Sequence, residues 1–143
     1  MIEDYCKLIE PVMDIFDYRD VADYLVRFER ADSRCAILLA TFYCEAEVCN
    51  GGFDQFFRNS TGILAPESVR GFKAIGQPKV ATAVSSAIAM LSGPFERERA
   101  ARNSLLDALP RDHFCDLEEQ FFALIDSENG GYQASASRFA RDG

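Results

Sequence analysis

Apolar side chains recur along this chain at the three-and-four spacing of helices that bury one face. In RCAILLATFYCEAEVC, preceded by Ser33, the positions Ala36, Leu39, Ala40, Tyr43, Ala46 and Val48 or Cys49 share a stripe, and Asn50-Gly51-Gly52 supplies a left-handed C-cap. The polar side of that stretch is thin until Glu45 and Glu47, which predicts a helix close to the centre of the fold. Upstream, Asp20 is placed to cap a helix carrying Val21, Tyr24, Leu25 and Phe28, and the first turns, with Tyr5, Leu8 and Ile9, then Val12, Ile15 and Phe16, suggest another helix broken or started at Pro11. Downstream, Pro66 opens a helix with Val69, Phe72 and Ile75 that ends at Gly76, and Gln77-Pro78 opens another with Val80, Val84, Ala87, Ile88 and Leu91. FERERAARNSLLDAL reads as a polar helix burying Leu105, Leu106 and Leu109; Leu117, Phe121, Leu124 and Ile125 mark one more, and YQASASRFARDG is a final one around Tyr132 and Phe139. No segment alternates apolar with polar in the β-branched manner of a strand. The expected fold is all-α, one acidic domain over residues 1–143, a bundle of about six to eight helices.

Composition agrees with that picture and narrows it. A chain of 143 residues with 48% hydrophobic and 12% aromatic residues has the length and make-up of one globular domain, able to form a core without a metal or disulfide framework. Its formal net charge of −8 would repel phosphates, so neither direct nucleic-acid binding nor an anionic membrane surface is expected. No apolar run reaches membrane-spanning length, and MIEDYCKLIEP lacks the basic start and apolar stretch of a secretory signal, which points to the cytoplasm. Five cysteines, Cys6, Cys35, Cys44, Cys49 and Cys115, include no C-x-x-C pair, the usage of a reduced compartment. With His113 as the single histidine, no metal and no cofactor is expected. An enzyme is not expected either: His113 and Cys115, like Glu45 and Glu47, lie two apart on a helix and point in different directions.

Residues 50–62, NGGFDQFFRNSTG, are the most distinctive stretch. Adjacent glycines predict a sharp reversal, Phe53, Phe56 and Phe57 are spaced to enter the core, and Asn59, Ser60 and Thr61 can satisfy backbone groups at the next turn. One reading is therefore a tightly built corner. The other is a small-ligand pocket at the same motif, Gly51 and Gly52 included, in which Glu45, Asn50, Gln55 and Asn59 converge beside aromatic residues such as Phe53 and Phe56.

The string E-x-x-x-x-N-G-G-F-D-Q-F-F-x-N-S-T-G from Glu45 to Gly62, followed by Phe72-Lys73-Ala74-Ile75-Gly76, resembles the signature of the DNA-mimic protein family, small acidic bacterial helical proteins. The resemblance spans roughly residues 40–92. It implies a helical fold and, from a characterised member, a dimer whose surface charge is similar to duplex DNA and which binds a helix-turn-helix transcription factor in place of the operator.

Charge is distributed unevenly enough to bear on that implication. Residues 1–32 carry a net −5, residues 33–64 −1, residues 65–104 +3 and residues 105–143 −5. Near the start, Glu10, Asp14 and Asp17, then Asp20 and Asp23, fall at helical steps; near the end, Asp112, Asp116 and Glu119 repeat the step with Glu118 beside them. Such rows place carboxylates about 5 to 6 Å apart. The expected activity is thus binding of a basic protein, a helix-turn-helix DNA-binding protein in the sharpest form, through Asp14, Asp17, Asp20, Asp23, Asp112, Asp116, Glu118 and Glu119. A plain solvated face with Arg19, Arg27 and Arg30 neutralising the first row is the simpler alternative, and an immunity-type inhibitor of a basic protein is another. Lys73, Lys79, Arg97, Arg99 and Arg102 leave a homodimer open, by pairing with an acidic row of a second copy.

Overall fold

The order of elements follows from where the chain can cap and where it cannot continue. A computed structural model describes residues 2–13, 20–110 and 112–142, with side chains from residue 5 onward. Among the described residues it contains α1 (Ile2–Met13), α2 (Val21–Arg30), α3 (Ser33–Arg58), a 3-10 segment (Ser60–Leu64), α4 (Ala65–Ala74), α5 (Pro78–Ala89), α6 (Arg99–Asp107), α7 (Cys115–Ile125), a short 3-10 turn (Glu128–Gly130) and α8 (Tyr132–Asp142), with no strand. Among the described residues the fold is a single-domain all-α arrangement of eight α-helices, as the periodicity predicts.

Asp20 caps α2 by accepting from Asp23 N at 3.0 Å. At α3 the cap is Asp32, which accepts from Arg34 N and Cys35 N at 3.0 and 3.1 Å, bonds that hold its carboxyl below the usual range. Prolines stand in the first turns of α4 and α5, where the missing N–H costs nothing. Ile15 and Phe16 lie outside the described residues, and Pro11 departs from expectation by lying inside α1. Only two residues follow it in the helix, and Tyr5, Ile9 and Val12 on the same stripe are buried in the core, so packing offsets the lost backbone bond. The polar helix starts later than its sequence suggests: Ser92 and Gly93 adopt positive φ, and the chain does not become helical again until Arg99.

Helix α3 is central. Leu38, Leu39, Ala40, Cys44, Val48, Phe53, Phe56 and Phe57 are fully buried on it, against α1, α4, α6 and α7. It meets α4 at a close crossing: a β-carbon on Gly71 would sit 2.8 Å from the Ile37 carbonyl oxygen. Inside the core, Phe53 meets Phe121 edge-on with centroids 5.6 Å apart, and the Tyr132 hydroxyl shares a hydrogen bond with Thr41 Oγ1 at 3.0 Å. A smaller apolar cluster seats α2, with Tyr24 and Phe28 against Ala36, Ala40, Ile63 and Leu64. No helix among the described residues is long and apolar enough to cross a membrane.

Candidate protein-binding site

The predicted reversal at the paired glycines is a break within α3, not its end. Gly51 adopts φ −151°, ψ 16° and Gly52 φ 81°, ψ −178°, a conformation open to glycine alone, after which six more helical residues carry the three phenylalanines inward. Breaking a helix exposes backbone N–H groups, and Glu118 of α7 meets one of them: its Oε2 accepts from Phe53 N at 2.8 Å. The same oxygen lies 2.0 Å from where a Gly52 β-carbon would be, so position 52 is glycine for both conformation and space.

Polar groups of the corner satisfy one another. Gln55 Nε2 and Asn59 Nδ2 both donate to Glu47 Oε2, at 3.1 and 2.6 Å. The predicted convergence of Glu45 with Gln55 and Asn59 is thereby corrected. One helical turn separates residues of like face, and the break at Gly51 brings Glu47, not Glu45, over the second segment of α3. Glu45 instead lines a separate cavity with Asp126 and Tyr132, where burial pushes its carboxyl up. Asn50 is exposed at the break, and Thr61 makes no side-chain hydrogen bond among the described residues despite its covered hydroxyl.

Three arginines close the corner from the far side. Arg102, wholly buried, donates to the carbonyls of Phe57, Asn59, Glu96 and Arg97. Burial, then Arg99 and Arg97 nearby, bring its guanidinium down to about 10, and it stays charged at neutral pH. Arg97 forms a two-point pair with the buried Glu67, at 2.6 and 3.0 Å, and Arg99 Nε donates to the Arg58 carbonyl at 2.6 Å. Much of the basic block considered for pairing with a second copy is therefore engaged inside the fold: the end of α3 leaves carbonyls that need donors, Arg99 and Arg102 supply them, and Arg97 donates to the Ile63 carbonyl beyond it. Lys73 and Lys79 remain exposed. Periodicity gave no sign of the Arg102 and Glu67 roles; the only trace is the Arg97, Arg99, Arg102 spacing just before and inside α6.

The acidic positions divide in the same way. Asp14 and Asp17 lie outside the described residues. Asp20 is an exposed helix cap, and Asp23 pairs with Arg27 at 2.8 Å one turn along α2. Glu118 is half-buried and turned to the corner, which removes it from the row in which it was counted. Asp112, Asp116 and Glu119 are exposed and form no ion pair among the described residues. They run from the loop before α7 onto its outer face, where Phe122 is also exposed.

Between the second segment of α3, the end of α6 and the start of α7 opens a groove of about 470 Å³. Asp54, Asp107, Asp112 and Glu118 stand on its walls, and Leu106, Leu109 and Phe114 contribute apolar surface. Arg58 spans it, its Nε on Asp54 at 2.7 Å and its Nη1 on Asp107 at 2.9 Å, and those carboxylates raise its pKa further. His113 and Cys115 also line the groove, with His113 Nδ1 donating to the Pro110 carbonyl. Burial and neighbouring acids push the Cys115 thiol up, away from the thiolate form a nucleophile requires. Among the described residues, no three acidic, histidine or cysteine side chains are grouped so as to hold a metal ion.

The family model for DMP19-like proteins matches residues 30–142, which takes in every element from α3 to α8. The chain belongs to the DMP19-like family, the DNA-mimic family that the 45–62 motif resembles. No curated protein matches the chain, and no solved structure matches it. Helices α1 and α2 lie almost wholly before the matched segment, and residues 1–29 carry a net −5 against −3 for residues 30–142.

Proposed function

We propose that this chain acts by binding, not catalysis, and that it presents the acidic surface around the start of α7 to a DNA-binding protein where that protein would otherwise hold DNA. The observation that carries the reading is the set Asp112, Asp116 and Glu119, exposed and unpaired among the described residues, the first in the turn before α7 and the other two on the helix itself, beside an acid-walled groove. Duplex DNA presents one negative charge per roughly 1.7 Å of axis, held on a stiff frame. A carboxylate row on a helix supplies negative charge at fixed positions, so a basic groove-reading surface meets it with little ordering of its own. Membership of the DMP19-like family supports the same reading.

Capture at low salt on the immobilised chain, followed by elution with excess duplex DNA, tests it. A basic DNA-binding protein released by the duplex, and by salt, is the expected result. A partner that salt releases and duplex DNA does not would replace mimicry with inhibition of some other basic protein.

A further inference from the structure

Among the cavities, the groove bounded by α3, α6 and α7 combines features that specify the shape as well as the sign of an occupant. We infer that it receives an arginine side chain of the bound partner, a proposal that rests on the protein-binding reading above.

Among the described residues, four carboxylates, Asp54, Asp107, Asp112 and Glu118, face this groove against one guanidinium, that of Arg58. Arg58 shows how the walls take such a group, since it lies across Asp54 and Asp107 with bonds of 2.7 and 2.9 Å. Glu118 Oε2 accepts from Phe53 N, while Asp112 forms no ion pair among the described residues. A second, separate feature is His113: its Nδ1 is held by the Pro110 carbonyl, while its Nε2 is covered and bonded to nothing among the described residues.

The acids do not converge on a point, as the lack of any metal-holding group among the described residues states in another way. A compact ion therefore gains little here, and an elongated cation gains more. Leu106, Leu109 and Phe114 offer apolar surface to a methylene stem, and the carboxylates offer acceptors to a planar, fork-shaped head. Lysine has the stem but presents a small, strongly hydrated charge, so the groove discriminates between the two.

The test uses the full chain, isotopically labelled, titrated at low salt with a blocked Gly-Arg-Gly peptide and with its lysine and citrulline counterparts, reading backbone amide shifts. Arginine peptide is expected to shift the amides of Asp54, Asp107, Asp112 and His113 most, lysine peptide to do so several-fold more weakly, and the neutral citrulline peptide not at all. Asp112→Asn preserves the residue's positive φ of 64°, which asparagine also tolerates, so folding is retained. It is expected to weaken the arginine titration about three- to fivefold, the scale of one partly screened charge pair; Asp107→Asn is the second variant. Equal response to arginine and lysine, shifts as large at Asp20 and Asp142 as in the groove, or indifference to both substitutions overturns the proposal. The two readings fail separately. A partner displaced by DNA yet indifferent to both substitutions leaves mimicry standing without the groove, while an arginine-selective groove whose partner resists DNA leaves the groove standing without mimicry.

Discussion

The corner at residues 50–64 and the outer face of α7 are built from the same kinds of charged side chain, yet they use them in opposite ways. In the corner, Arg102 and Glu67 are buried, Arg97, Glu47 and Glu118 are half-buried, and all five are bonded to neighbouring backbone or side-chain groups. At the start of α7, Asp112 in the preceding turn and Asp116 and Glu119 on the helix are in water and unmatched among the described residues. Net charge alone treats these as equivalent. Geometry does not: a buried charge with partners is a fastening, and only an exposed one without them is available to another molecule.

Replacing the deepest fastening should have the largest effect. Arg102→Leu strands four carbonyls, two of them at the end of α3, and is expected to cost about 3 to 5 kcal/mol in denaturant unfolding. Next comes Gly52→Ala, where an unfavourable φ and the collision with Glu118 together cost about 2 to 3 kcal/mol by the same measurement. On the opposite side of the comparison, Asp116→Asn combined with Glu119→Gln should change stability by no more than about 0.5 kcal/mol while weakening partner binding and flattening its salt dependence. If that double variant unfolds as readily as Gly52→Ala, the division between fastening and display is wrong.

The smallest effect belongs to Glu45, which sits between the two classes. Burial, opposed by a hydrogen bond from Cys49, raises its carboxyl pKa above the ordinary 4.5, so the folded protein holds this proton more tightly than the unfolded chain does. Its contribution to stability is then fully present below the unfolded value and is lost as pH rises through the folded one. Glu45→Gln should remove that slope, leaving stability less dependent on pH above about 4.5 than in the parent, as thermal melts across the range would show. A steeper slope in the variant would contradict the assigned direction.

How much of this was legible beforehand depends on the range of the interactions involved. Helix starts at Asp20, Pro66 and Pro78 and the inward Phe53, Phe56 and Phe57 are local matters of capping and spacing, and the sequence shows them directly. The family resemblance was likewise carried by one contiguous string, from Glu45 to Gly62. Glu118 is different, since its hydrogen bond reaches 65 residues along the chain, and Arg102 reaches 45 to Phe57. In sequence, Glu118 looks like one more acid in an exposed row and Arg102 like one more base on a polar helix. Nothing in their neighbours distinguishes them, because what decides their burial is the break in α3, and the break matters only once α6 and α7 are docked against it.

That dependence has a consequence for the newborn chain. The six residues beyond Gly52 are too few to hold a helix by themselves, and they carry three of the most apolar side chains in the protein. Their carbonyls wait for Arg102 and their first amide waits for Glu118, so the segment has no stable place to settle while only the N-terminal part of the protein has left the ribosome. Phe53, Phe56 and Phe57 are therefore the stretch most in need of shielding during synthesis, until α7 has emerged and brought Phe121 and Glu118 to them.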